Sequence, residues 1–253
     1  MGEERHVLYL AGSQAERLRS APFAVLPVGS VEYHGPGAPF GTDTTLAAGL
    51  ADRLAFERDC LVFPPVVYSF VPRLTTAHGP GVSVAPRVFL DYVTEVVGGI
   101  LGLGVTRLLV LNGHSENQYA LRLAAESVTA ERPEASVLVC NWWRLAPGGL
   151  FSENDGHGHG GPLEISTTAA LDARGVDLGQ PAASDIPYEA PWWRAAAQVV
   201  GRGQAPVGFA GYHGRVSELD LEKGERLVAG VTAELSRLVD DWLARAASEG
   251  RQG

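Results

Sequence analysis

"FAVLPVGSVEYHGPGAPFGTDTTLAAGLADRLAFERD" (residues 23–59) runs through three kinds of chain in succession. "FAVLPVGS" (23–30) is a short apolar run that ends in Gly-Ser, the pattern of a buried strand. "TTLAAGLADRLAFERD" (44–59) places Leu46, Leu50 and Leu54 at helical spacing, with Thr44 as the expected N-cap. Between them, "GSVEYHGPGAPFGTDTT" (29–45) is broken by glycine and proline, yet carries Glu32, His34 and Asp43. A buried strand, a loop with metal-competent side chains and a helix in that order are the start of an α/β protein.

The same alternation continues outward. "CLVFPPVV" (60–67), "RLLVLNGH" (107–114) and "ASVLVCNW" (135–142) read as further strands. "APRVFLDYVTEVVGGILGLGV" (85–105) aligns Phe89, Val93, Val96, Val97 and Ile100 on one helical face, and Pro86 suits a helix start. "SENQYALRLAAESVTAERP" (115–133) is helical, with Glu116, Glu126 and Glu131 outward or functional. In the last helix, "EKGERLVAGVTAELSRLVDDWLARAASEG" (222–250), Leu227, Val231, Leu235, Leu238 and Trp242 recur at steps of three and four. This pattern predicts an α/β fold with a mostly parallel sheet covered by helices on both sides. One domain over residues 1–253 accommodates it. The irregular, Pro/Gly/Trp-rich region about 179–215 is expected to be a lid or a subunit contact.

Composition narrows the function. The formal net charge is −9 and Lys223 is the one lysine, so no basic face is expected for nucleic acid. No run of 18 apolar residues occurs, and "MGEERHVLYL" (1–10) lacks a basic segment followed by a long apolar one. A cytoplasmic protein without a membrane partner is expected. Cys60 and Cys140, each beside an apolar run, read as two buried reduced thiols.

Three of the seven histidines lie in glycine-rich stretches with a carboxylate nearby. His34 has Glu32 and Asp43, His114 has Glu116, and His159 has Glu164 in "GHGHGGPLEIST" (156–167). The first two clusters follow strands directly. In a parallel sheet the carboxyl ends of the strands share one edge, where ligands bind, so these clusters should meet in space. The third could close over the same edge. In extended chain, residues two apart point the same way, so Glu32 can face one site with His34, and His114 with Glu116. Imidazoles mixed with carboxylates suit Zn, Mn or Fe; neither a thiolate zinc site nor an all-oxygen calcium site looks like this. The set exceeds what one tetrahedral ion needs, and a carboxylate bridging two ions would use it. His6, His157 and His213, taken singly, read as solvated or capping groups.

"LPVGSVEYHGPGAPFGTDT" (26–44), "LNGHSEN" (111–117) and "HGGPLEIS" (159–166) resemble, in order and spacing, the three motif blocks of the creatininase (creatinine amidohydrolase) family. "PGVSV" (80–84) and "LEKGERL" (221–227) are similar to two shorter family elements, so the resemblance runs from about Ala24 to Leu227. It implies a three-layer αβα sandwich, a homo-oligomer of which the hexamer is a common form, and two divalent metal ions per chain. It also implies hydrolysis of a non-peptide C–N bond in a small-molecule substrate. One ion would be held by Glu32, Asp43 and His114, the other by His34, Asp43 and Glu164, with Asp43 bridging. Glu116 matches a residue that helps proton transfer, and His159 one that sits at the substrate carbonyl. The sequence departs from creatininase itself in two places. "SENDGHGHGG" (152–161) lacks the Trp expected before the third-block His, and Ser115 replaces an aromatic. Both changes remove apolar walls around a small flat ring. A cyclic amide, a formamide or a related molecule is therefore expected rather than creatinine, with Ser115, Trp142 and Trp143 facing it and Trp192 and Trp193 as further walls. The alternative is a non-catalytic oligomeric or ligand-binding protein that retains the fold.

Overall fold

In a computed structural model, residues 3–152, 156–179, 184–186, 200, 205 and 207–249 are described. Four strands, β1 (Ala24–Val28), β2 (Leu61–Val62), β3 (Arg107–Asn112) and β4 (Ser136–Asn141), form one parallel sheet in the order β2-β1-β3-β4. The seven α-helices among the described residues are α1 (Arg17–Ser20), α2 (Thr42–Glu57), α3 (Arg73–Thr76), α4 (Pro86–Gly102), α5 (Asn117–Ala130), α6 (Pro162–Leu171) and α7 (Leu221–Glu249).

Side chains of successive strand residues point to opposite faces, and two cores follow from that. Ala24, Leu26 and Val28 of β1, with Leu108 and Val110 of β3, pack under α4 and α5 through Phe89, Val93, Val97, Leu121 and Ala124. Val25, Leu109, Leu111 and Cys140 face the other way. There they meet Leu46, Leu50 and Leu54 of α2, Leu163 of α6, and Leu227, Val231 and Leu235 of α7. The three leucines of α2 are fully buried, which stabilises the fold by roughly 2 kcal/mol each. The result is the three-layer αβα sandwich that the alternation predicts.

Three local details differ from the expectation. The α2 helix begins at Thr42 with Gly41 at the cap, not at Thr44, whose hydroxyl donates to the Ser30 carbonyl at 2.8 Å. The β2 strand is interrupted after two residues, because Pro64 and Pro65 have no N–H to give the ladder, and pairing with β1 resumes only as a single bridge from Val66 to Val28. The α6 helix was hidden behind "GHGHGG", which reads as loop. Cys60 and Cys140 are buried and unpaired, and burial pushes each thiol up to about 12. Among the described residues no helix is long and apolar enough to cross a membrane. Much of the 179–215 region, with Trp192 and Trp193, lies outside the described residues.

Candidate metal centre

The strand order reverses between β1 and β3, and ligands of open parallel sheets bind at the carboxyl ends beside such a reversal. Val28 pairs with Asn112, so the chain leaving β1 and the chain leaving β3 emerge side by side. The Gly113 N–H donates to the Val28 carbonyl at 2.8 Å. A Cβ on Gly113 would lie 2.1 Å from the Asp43 carbonyl oxygen, so only glycine lets the first turn of α2 press onto the strand ends. The Glu32 N–H donates to the Phe40 carbonyl at 2.9 Å, closing the loop that returns Asp43 to Glu32 and His34. The Asn117 side chain donates to the Gly29 carbonyl at 3.0 Å, and the Asn112 side chain accepts the His114 N–H at 3.1 Å. Strand ends and helix starts are thus tied together by polar contacts.

Backbone carbonyls fix the three rings. A carbonyl only accepts, so the ring nitrogen it faces carries the hydrogen. Nδ1 of His34 faces the Glu32 carbonyl at 3.1 Å, Nε2 of His114 the Phe70 carbonyl at 3.0 Å, and Nε2 of His159 the Tyr33 carbonyl at 2.8 Å. The second nitrogen of each ring turns toward carboxylates. His34 Nε2 lies 3.0 Å from Asp43 Oδ1 and 3.7 Å from Glu164 Oε2. His114 Nδ1 lies 2.8 Å from Glu32 Oε1 and 3.0 Å from Asp43 Oδ2. His159 Nδ1 lies 3.8 Å from Glu32 Oε1. A neutral imidazole would then aim a lone pair at an oxygen lone pair, so a proton or a cation must lie between them.

The charge balance reflects this. Burial opposes a charge on His34, but Asp43, Glu164 and Glu32 outweigh it and hold the ring up, to about 10. His114 is likewise held well above the usual range by Glu32 and Asp43 against its burial. Burial works against the Asp43 carboxylate, yet His34 and His114 keep it well below the usual range; burial also opposes the Glu32 carboxylate, which His114 and His159 lower. Burial pushes Glu164 up to about 7 despite His34. Burial and the charge of His34 lower His159.

Three groups of metal-competent atoms follow, each within 4.8 Å: Glu32, Asp43 and His114; His34, Asp43 and Glu164; Glu32, His34 and His159. Asp43 belongs to two of them and offers a different oxygen to each histidine. The donor set fits a divalent ion. It mixes imidazole with carboxylate, and the buried Glu32 Oε1 has no aligned hydrogen bond although a ring nitrogen lies 2.8 Å away.

The remaining predicted residues fall elsewhere. Glu116 is half-buried at the N-cap of α5 and joins none of the three groups. Ser115 beside it is exposed. Trp142 is fully buried in the core with Phe151 and Leu163, so it presents no surface to a ligand, and Trp143 packs against the same core. His6 pairs with Asp52 at 3.5 Å, away from the groups. Two hydroxyls escaped the sequence reading. Ser30 donates to Asp43 Oδ2 at 2.6 Å, and Thr75 to Glu32 Oε2 at 2.9 Å. Ser30, one of the first residues after the β1 run, could have been suspected; Thr75, from a distant short helix, gave no signal.

Known proteins share the family and the fold of this chain. A family model described as creatininase, creatinine amidohydrolase, matches residues 10–239. The chain is similar to a 3-dehydro-scyllo-inosose hydrolase of Thermotoga maritima, 29% identical over 150 residues; the match takes in 59% of this chain and 47% of that enzyme, about half its length. It is similar to a mycofactocin precursor peptide peptidase of Mycolicibacterium smegmatis, 26% identical over 250 residues and covering 94% of each. A crystal structure of creatinine amidohydrolase (creatininase) superposes with a TM-score of 0.79 at 23% identity, over 94% of this chain and 98% of that one. Creatininase structures in a manganese form and in a Zn-Zn form share the fold at 22% identity, with TM-scores of 0.79 and 0.77 and the same coverage.

Proposed function

The chain belongs to the creatininase family, and from that premise we propose that it is a hydrolase with two divalent ions, Zn, Mn or Fe, acting on a C–N bond. The substrate we propose is a cyclic amide, a formamide or a related small molecule other than creatinine. Glu32, Asp43 and His114 would hold one ion, and His34, Asp43 and Glu164 the other. The observation that carries this reading is that each imidazole has one nitrogen pinned by a backbone carbonyl while the other faces carboxylate oxygens. A divalent pair supplies Lewis acidity and a water whose pKa falls toward neutrality.

The chain's own residues do the rest. His159 Nε2–H is engaged by the Tyr33 carbonyl, so Nδ1 is the nitrogen left for substrate, and once it has taken a proton from solvent it would hydrogen-bond to the substrate's carbonyl oxygen as that oxygen gains negative charge, without giving the proton up. Glu116, at the end of the "LNGHSE" turn, would take the proton that the attacking water loses and pass it to the leaving nitrogen. A second reading, cleavage of a peptide C–N bond, is favoured by the relative that matches over 94% of both chains and is named a peptidase. A turnover screen of the metal-loaded protein over cyclic amides, formamides, guanidino compounds and short peptides separates the readings. Turnover that is lost in Glu116→Gln and in metal-stripped protein is expected. Full turnover after metal removal contradicts the proposal.

A further inference from the structure

The rings at the site form a row that leads outward. His34 and His159 lie with centroids 4.3 Å apart and planes tilted by 34°. Beyond His159 comes Phe209, 6.2 Å away and tilted by 42°. Phe209 also lies 5.7 Å from His213 and meets His78 edge-on at 5.3 Å. Exposure rises along the row: His34 is 1% exposed, the His159 side chain 19%, Phe209 is half-buried and His78 is exposed. The row is buried at the carboxylate end, and beyond Phe209 it branches to the buried His213 and to the exposed His78.

The segment that carries Phe209 is clamped to the site. The His213 N–H donates to the His159 carbonyl at 2.9 Å. At Gly211, whose φ is +80°, a Cβ would lie 2.6 Å from the Cβ of His78 and 2.7 Å from the Tyr33 ring, so the backbone passes between those two residues in a way only glycine allows. The aromatic ring is therefore held beside His159 by the fold.

We propose that Phe209 is the substrate-contacting wall of this site, and that the substrate carries a planar or apolar group beside the carbon that is attacked. The proposal rests on the metal-hydrolase reading above. A half-exposed ring offers dispersion and a face or edge to a flat group, and no hydrogen-bond partner to a hydroxyl-rich one.

Two hydroxamates test this, because they share one metal-binding head and differ in the group beside it. Acetohydroxamate and benzohydroxamate are titrated calorimetrically into the zinc-loaded protein. Wild type should bind benzohydroxamate about tenfold more tightly. Phe209→Ala should bring the two within about twofold, leaving acetohydroxamate affinity and zinc content unchanged, with Phe209→Leu in between. Equal binding by wild type, or a preference that survives both substitutions, overturns the proposal. Absence of any acetohydroxamate binding by zinc-loaded wild type overturns the metal-hydrolase reading, and the wall with it.

Discussion

The floor of the site and its mouth are built differently. Glu32, Asp43 and His114 sit just past β1, in the first turn of α2 and just past β3, and none is more than 4% exposed. Each is braced by the Thr75 hydroxyl, the Ser30 hydroxyl or the Phe70 carbonyl. His159 and Phe209 come from later loop segments, and each keeps part of its surface open. The sheet fixes where ions would go, and loops decide what reaches them. A fold of this kind can change its substrate without disturbing its metal ligands.

Substitutions should separate the two regions, beginning with the largest effect. Asp43→Ala removes the carboxylate that serves both groups, and turnover should fall at least about a thousandfold. A variant that kept turnover within tenfold would break the distinction. Gly113→Ala drives a Cβ toward the Asp43 carbonyl oxygen and should destabilise folding by about 3 kcal/mol or more in urea titrations. Ser30→Ala leaves Asp43 Oδ2 without its hydroxyl partner, and metal affinity should drop roughly 10- to 100-fold in competition with a chelator, with the fold intact.

The floor should also respond to pH. His34 is held up to about 10 in the metal-free protein, against about 6.5 when unfolded. Its contribution to stability is complete below the lower value and disappears as pH rises through the higher one. Metal-free protein should therefore lose stability between pH 7 and 10, and loading zinc at pH 7 should release protons, read by calorimetry in two buffers. The smallest effect belongs to the mouth: Phe209→Leu should leave stability within about 1 kcal/mol of wild type.

Much of the floor is legible in the sequence because strand ends obey a simple rule. Glu32, His34 and His114 follow apolar runs, Leu46, Leu50 and Leu54 announce α2, and Asp43 opens it. The bracing is not legible. The carbonyls of Phe70 and Tyr33 belong to backbone that any residue could supply, and Thr75 reaches Glu32 across 43 positions. Trp142 and Trp143, aromatics at the end of a strand, are the residues the sequence offers as a wall. Burial draws Trp142 into the core with the apolar face of α7, and Trp143, half-buried, packs against it. Phe209 stands in "VGFAGYHG" (207–214), where no periodicity or neighbouring carboxylate sets it apart.

The central claim is that one carboxylate joins two ion sites. Equilibrium dialysis against zinc, read by elemental analysis per folded chain, tests it directly. Two ions per chain in wild type, falling to none in Asp43→Ala while the circular dichroism spectrum stays native, is the predicted result. Wild type that retains no metal, or two ions that remain in Asp43→Ala, would contradict it.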